Sequence, residues 1–177
     1  MTEFIFIRHG TADYSNSVRL GLKGHGHDLA ALTDGGVKEI EALTQNEILK
    51  TAEIIVVSPY TRTMQTATII NKELALDMIV DIDLREWEPD QTYQYGSGEY
   101  LGIAKEFDAN KGIWPPGTTQ KWETIASVKE RASAALNKYD KYKCVIVVAH
   151  RILIRAITGK NLGCGEYTIF KMPKTRT

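Results

Sequence analysis

Five side chains that could handle a phosphate group stand at or just beyond the ends of apolar runs: Arg8, His9, Arg62, Glu86 and His150. Arginine guanidinium groups pair with phosphate oxygens in a bidentate manner and stay charged. A histidine can act as a nucleophile through one ring nitrogen when the other is held by a hydrogen-bond acceptor. A carboxylic acid can give its proton to a leaving oxygen. Each residue alone is weak evidence, but together they indicate phosphoryl-transfer chemistry.

Short β-branched runs alternate with segments of helical period, which predicts an α/β fold: a three-layer α/β/α sandwich with a mainly parallel central sheet. We predict strands over residues 4–8, 53–58, 79–82, 143–149 and 167–171. We predict helices from an N-cap at Thr33, after Pro59, over 99–109, over 119–139 and after His150. Since open α/β sheets bind ligands beyond the carboxyl ends of their strands, the five side chains should converge there.

The chain has 177 residues, with 22 basic and 22 acidic side chains. This length predicts a single domain spanning 1–177, and the balanced charge argues against a nucleic-acid partner. Charges interrupt every apolar run before the roughly 18 residues that a membrane helix needs, so we expect no membrane partner. Without a signal-peptide pattern or a disulfide framework, the chain reads as cytoplasmic. We expect Cys144 to be a small buried residue and Lys171, Lys174 and Arg176 to form a solvated tail.

From residue 4 to about residue 155, the order of the motifs resembles the histidine phosphatase superfamily, also called the phosphoglycerate mutase-like family. The motifs are Phe6-Ile7-Arg8-His9-Gly10-Thr11, Leu32-Thr33 with Gly36, Ser58-Pro59-Tyr60-Thr61-Arg62-Thr63-Met64-Gln65-Thr66-Ala67, Leu84-Arg85-Glu86, and Val148-Ala149-His150 with Arg155. The resemblance implies a phosphoglycerate mutase-like fold, with His9 as the nucleophile that becomes a phosphohistidine. It implies that Glu86 donates a proton to the leaving group and that no metal or other cofactor is needed. It also implies that Arg8, Arg62 and His150 belong to the catalytic set and bind the transferring phosphoryl oxygens. We expect Gly10, Thr11 and Arg151 to contribute to substrate binding, with Gly10 allowing close approach of the backbone to the phosphate.

Two positions depart from the family pattern. Thr11-Ala12 stands where many members have a glutamate after the Arg-His-Gly motif. This leaves Glu86 as the main candidate for the proton donor, although the role could fall to Glu88 or Asp90. Arg151 stands where the family usually has a small residue. Its bulk could distort the pocket, or its charge could add to the field at a helix N-terminus, and we favour the second.

The segment 87–117 is rich in glycine, proline and aromatic residues, and we expect it to be an insertion that covers the site. Its aromatic side chains could line an apolar or aryl-phosphate pocket, or they could cap the core under a loop. The segment has more aromatic residues than lysines, the latter being Lys105 and Lys111, and this favours hydrolysis over mutase activity.

His25, His27 and Asp28 lie in the glycine-containing loop 23–28 and could bind a metal ion. We favour a loop beside the active site without a metal, since phosphohistidine chemistry needs none.

We therefore predict a phosphatase that hydrolyses a phosphate monoester through a phosphohistidine on His9. Its partner would be a small phosphorylated substrate, with a phosphoprotein as a further option. The alternatives are mutase-type phosphoryl transfer and a non-catalytic phospho-ligand-binding or regulatory protein. We also expect the arginines and histidines to form a cationic pocket, with the acidic residues mostly elsewhere.

Overall fold

A central β-sheet organises the computed structural model, which describes residues 1–172 apart from the side chain of Ser97. The strands are β1 (Thr2–Arg8), β2 (Ala12–Asp13), β3 (Ala31–Leu32), β4 (Ile54–Val57), β5 (Met78–Val80), β6 (Cys144–Ala149) and β7 (Tyr167–Met172). Five of them form one sheet in the order β5-β4-β6-β1-β7, and β2 and β3 form a separate hairpin. Only β7 in the large sheet is antiparallel to its neighbour, so the predicted mainly parallel sheet is confirmed.

Helices cover both faces of this sheet. They are α1 (Ser15–Arg19), α2 (Asp34–Leu43), α3 (Thr61–Leu74), α4 (Ser97–Ala109), α5 (Ile125–Asn137) and α6 (Arg151–Thr158). Side chains alternate along β1, so Phe4 and Phe6 enter one core with α5 and α6, while Ile5 and Ile7 enter another with α2 and α3. The three-layer α/β/α arrangement is thus confirmed.

The sequence predicted most element positions, with one clear error. The Thr33 cap of α2 is confirmed, because its hydroxyl accepts a hydrogen bond from the Gly36 N–H at 2.9 Å. The helix predicted over 119–139 begins only at Ile125, because the Thr124 hydroxyl caps it and Trp122 is buried in the core before it. The hairpin of β2 and β3 and the short α1 were not predicted.

Three other expectations concern individual segments. Loop 23–28 is largely a 3-10 helix, Gly24–Leu29. Cys144 is buried at the start of β6, as predicted. Lys171, expected in a solvated tail, lies in β7 opposite Glu3, whereas Lys174 and Arg176 lie outside the described residues. Within 1–172, the helices are too short or too polar to cross a membrane.

Candidate active site

The carboxyl ends of β1, β4 and β6 place His9, Ser58 and His150 side by side. The His9 N–H donates to the Ala149 carbonyl at 3.2 Å, and the Ser58 N–H donates to the Val148 carbonyl at 3.1 Å. These bonds extend the parallel pairing just past the strand ends, so His150 lies between the other two residues. The imidazole rings of His9 and His150 are 5.3 Å apart between centroids.

The His9 imidazole is held as a neutral ring. It is 5% exposed, and its Nδ1 lies 2.8 Å from the Gly10 carbonyl oxygen. Burial and the nearby Arg62 charge, with a smaller effect of Arg8, lower the His9 pKa to about 3 despite the opposing effect of the Gly10 carbonyl. Because a carbonyl only accepts, the neutral ring carries its proton on Nδ1 and leaves a lone pair on Nε2. That lone pair is what a nucleophile requires.

His150 is fully buried, and this burial together with Arg62 and other positive charges lowers its pKa well below the usual range. Its Nε2 lies 2.7 Å from Ser58 Oγ. If the Ser58 hydroxyl donates to Nε2, the proton of the neutral ring lies on Nδ1. The sequence placed Ser58 at a strand end but gave it no role.

Both arginines of the site are anchored at one end and unpaired at the other. Arg8 Nη1 donates to the Leu162 carbonyl at 2.7 Å, and both terminal nitrogens of Arg62 lie 3.4 Å from Asp28 Oδ1. The Arg62 guanidinium also lies over the Tyr60 ring, 4.9 Å from its centroid.

Three buried nitrogens in this cluster have no hydrogen-bond partner within the described residues: Arg8 Nε, Arg62 Nε and His150 Nδ1. A buried donor without a partner costs about 1–3 kcal/mol, and native structures contain few of them. An anion placed among them would accept their hydrogen bonds and offset that cost.

Glu86 lies at the N-terminus of α6. Its carboxylate accepts hydrogen bonds from the Trp87 N–H at 3.0 Å, the Leu153 N–H at 3.3 Å and the Ile152 N–H at 3.4 Å. The positive end of a helix favours such an acceptor.

Glu88 and Asp90, the alternative acids, are buried and bound elsewhere. Glu88 accepts a hydrogen bond from Arg85 Nε at 3.1 Å, and Asp90 accepts two from Thr92. Burial raises the pKa of Glu88, against the opposing effects of His25 and Arg85.

A pocket of about 370 Å³ opens beside this cluster and shares Arg62 and Glu86 with it. Its wall is otherwise mostly aromatic and apolar, formed by Tyr14, His27, Asp28, Tyr60, Trp87, Pro89, Tyr95, Tyr100 and Leu101. Neither Glu88 nor Asp90 is among the described residues that line it. Other aromatic residues of 87–117 pack into the core, including Phe107 and Trp114. Some aromatic residues of segment 87–117 therefore line a pocket and others cap the core, so each alternative holds for part of the segment. That the segment is an insertion stays a prediction.

Three residues expected to bind substrate make other contacts. A Cβ on Gly10 would lie 2.6 Å from the Gly36 carbonyl oxygen, so tight packing on α2 requires this glycine, a reason different from the predicted close approach to the phosphate. The Thr11 hydroxyl donates to the Glu39 carboxylate at 2.9 Å. The Arg151 guanidinium lies 3.8 Å from Asp108. Substrate binding by these residues remains a prediction.

Asp28 and Glu86 are acidic residues that lie beside the cationic groups, and the expectation that most acidic residues lie elsewhere stays a prediction. Asp28 contacts Arg62, and Glu86 lines the same pocket. Asp28 also lies 2.9 Å from His25 Nδ1, while His27 stacks on the Tyr95 ring at 5.9 Å. Loop 23–28 therefore lies beside the site, and residues 1–172 contain no cluster of three or more metal-ligating side chains.

Sequence reasoning also missed a buried ion pair that holds the backbone of residues 83–86, the segment that carries Glu86. Arg131 on α5 binds Glu123 through two hydrogen bonds of 2.8 and 2.9 Å. Its guanidinium donates to the backbone carbonyls of Asp83, Arg85 and Glu86 as well. The available signal was a glutamate and an arginine eight residues apart around a helix start, which alone is weak.

The chain is similar to proteins whose names describe them as phosphatases or as a mutase. The chain is 30% identical to an uncharacterized phosphatase, PhoE, of Bacillus subtilis, over 89% of this chain and 76% of that protein. It is 27% identical to a probable phosphoglycerate mutase, GpmB, of Proteus mirabilis, over 98% and 77%. The structure of a mycobacterial glucosyl-3-phosphoglycerate phosphatase matches the fold with a TM-score of 0.72 at 20% identity, over 96% and 89%. The model of the histidine phosphatase superfamily (branch 1) matches residues 4–176, and the chain belongs to that family.

Proposed function

We propose that this protein is a phosphatase that hydrolyses a small phosphate monoester through a phosphohistidine at Nε2 of His9, without a metal ion. The observation that carries the proposal is the set of three unpaired buried nitrogens, Arg8 Nε, Arg62 Nε and His150 Nδ1, next to a neutral His9. With the Ser58 hydroxyl donating to Nε2 of His150, all three nitrogens carry hydrogens, and a phosphoryl group would supply their missing acceptors beside His9.

In the first step, Nε2 of His9 forms a bond to phosphorus while the bond between phosphorus and the ester oxygen breaks. Charge spreads over the equatorial oxygens of the transition state, and the fixed donors of Arg8, Arg62 and His150 stabilise it. Glu86, which reaches the pocket, gives its proton to the departing oxygen.

In the second step, water attacks the phosphohistidine, the bond between nitrogen and phosphorus breaks, and inorganic phosphate leaves. Glu86, now ionised, takes a proton from the attacking water. The enzyme thus returns to its starting protonation state, with no electron transfer and no co-reactant other than water.

Hydrolysis is favoured over mutase-type transfer by the charge of the pocket. A phosphoglycerate carries a carboxylate that needs a second cation, and neither Lys105 nor Lys111 lies among the described residues that line the wall. A non-catalytic binder would need the arginines but not a neutral, oriented His9.

Phosphate release from p-nitrophenyl phosphate in the presence of a chelator tests the proposal. We expect turnover by the native protein and a loss of at least about 10³-fold in His9→Ala, since the covalent step is removed. Circular dichroism would establish that the variant is folded. Substantial turnover by folded His9→Ala, or full inhibition of the native protein by the chelator, would contradict the mechanism.

Two matched variants test the acid. We expect Glu86→Gln to lower kcat for benzyl phosphate, whose alcohol is a poor leaving group, by about 10²-fold or more. The same variant should lower kcat for p-nitrophenyl phosphate much less. Glu88→Gln is the matched control because it makes the same change two residues away, outside the pocket wall. If Glu88→Gln shows the leaving-group dependence instead, the acid role belongs to Glu88.

A further inference from the structure

The pocket beside the phosphoryl site is built from neutral aromatic rings. Tyr14, Tyr60, Tyr95 and Tyr100 line it together with Trp87. Burial raises the pKa of all four tyrosines, that of Tyr100 to about 12, so their hydroxyl groups stay neutral at physiological pH. Such walls bind flat apolar groups through stacking and edge contacts, with the hydroxyl groups fixing orientation.

The charges on the wall disfavour a second anionic group. Arg62 is the one arginine or lysine among the described wall residues, and Asp28 lies 3.4 Å from its terminal nitrogens. The Asp28 carboxylate faces the same space, and Glu86, which carries a proton in the proposed first step, adds no positive charge there. Arg151 lies against Asp108 and is absent from the wall. A carboxylate on the alcohol portion of a substrate would find no free cation and would be repelled by Asp28.

We propose that the substrates are phosphate monoesters of uncharged aromatic alcohols and that the pocket discriminates against phosphorylated acids. This inference rests on the proposed phosphatase function and names the substrate class of the same site. A volume of about 370 Å³ is near the lower end of the roughly 300–1,000 Å³ found for small-molecule sites, which suits an alcohol of one or two rings.

Three alkyl phosphates separate the effects of the ring and of the charge: benzyl, ethyl and 4-carboxybenzyl phosphate. All three release an alkanol, so their intrinsic reactivity is similar. We expect kcat/KM for benzyl phosphate to exceed that for ethyl phosphate by about tenfold or more, because the ring fills the aromatic pocket. We expect 4-carboxybenzyl phosphate to be poorer than benzyl phosphate by a similar factor.

A single added positive charge should weaken the preference for benzyl over 4-carboxybenzyl phosphate. Leu101 lies on the wall and is 65% exposed, so Leu101→Lys adds a cation at the pocket without disturbing the core. We expect the ratio of kcat/KM for 4-carboxybenzyl phosphate to that for benzyl phosphate to rise several-fold, and the rise to shrink in high salt. Ile113→Lys is the matched control, because Ile113 is 64% exposed and lies outside the wall. Its ratio should equal that of the native protein.

The outcomes distinguish this inference from the function on which it rests. If no ester releases phosphate, or if release survives His9→Ala, the proposed function fails and the substrate class falls with it. A second outcome is that release depends on His9 while kcat/KM for ethyl or 4-carboxybenzyl phosphate equals that for benzyl phosphate. In that case the phosphatase function stands and the substrate class is refuted. An equal change in Leu101→Lys and Ile113→Lys would also refute the role of the pocket charge.

Discussion

Arg131 should be the main support of the segment that carries Glu86, and Arg131→Met would test this. The side chain makes five hydrogen bonds, two to the Glu123 carboxylate and three to the backbone carbonyls of Asp83, Arg85 and Glu86, at distances from 2.7 to 3.0 Å. Methionine retains the unbranched stem and a high helix propensity, so α5 itself should form normally. The change therefore removes the guanidinium and little else.

The magnitude follows from burial. The side chains of Arg131 and Glu123 are only 11% and 5% exposed, so the variant leaves a buried carboxylate without its partner. Breaking a buried ion pair in this way costs about 3–5 kcal/mol, a large part of a typical unfolding free energy of about 5–15 kcal/mol. The pair of Lys50 and Glu47 is 60% and 79% exposed, so Lys50→Met should cost less than about 1 kcal/mol.

Urea unfolding of the native protein, Arg131→Met and Lys50→Met would measure these differences. The double variant Arg131→Met with Glu123→Gln removes both charges. Its loss of unfolding free energy should therefore be smaller than the sum of the losses in the two single variants, by about 1–2 kcal/mol. In assays, Arg131→Met should lower kcat more for benzyl phosphate than for p-nitrophenyl phosphate, since it would displace Glu86, the proposed acid. A loss no larger than that of Lys50→Met, or strict additivity in the double variant, would refute the reasoning.

Two further predictions concern the packing of α2 against Thr11 and the protonation of His9. Gly36→Ala should destabilise the fold by about 1–3 kcal/mol in urea unfolding, because a Cβ there would lie 2.2 Å from the Thr11 carbonyl oxygen. Gly35→Ala, whose Cβ would meet nothing closer than 3.6 Å, should be neutral or stabilising, and equal losses in both would contradict this account. Because the His9 pKa falls from 6.5 to about 3 on folding, only the unfolded chain binds this proton between those values. Lowering the pH from 7 to 5 should therefore reduce the free energy of unfolding by about 2 kcal/mol through His9. The free energy of unfolding of His9→Ala should fall less over that interval. Parallel plots of unfolding free energy against pH for the two proteins would refute the pKa shift.

The strands and the side chains at their ends were readable from the sequence because each depends on local pattern. Apolar runs of four to six residues predicted β1, β4 and β6, and the residue that follows each run lies at the carboxyl edge of the sheet. The proposed roles of His9 and His150 depend only on this placement and on the family resemblance. The late start of α5 was missed because the burial of Trp122 in the core, a tertiary contact, determines where the chain turns into the helix.

The environment of each site residue was decided by tertiary contacts between distant parts of the chain. Asp28 is 34 residues from Arg62, and Ser58 is 92 residues from His150, so no local spacing links either pair. Composition indicated zero net charge, but it did not indicate that carboxylates lie beside Arg62. The sequence alone therefore determined which residue types reach the sheet edge. Only the folded structure decided their partners, tautomers and protonation, because these depend on burial and on charges brought within a few ångströms by packing.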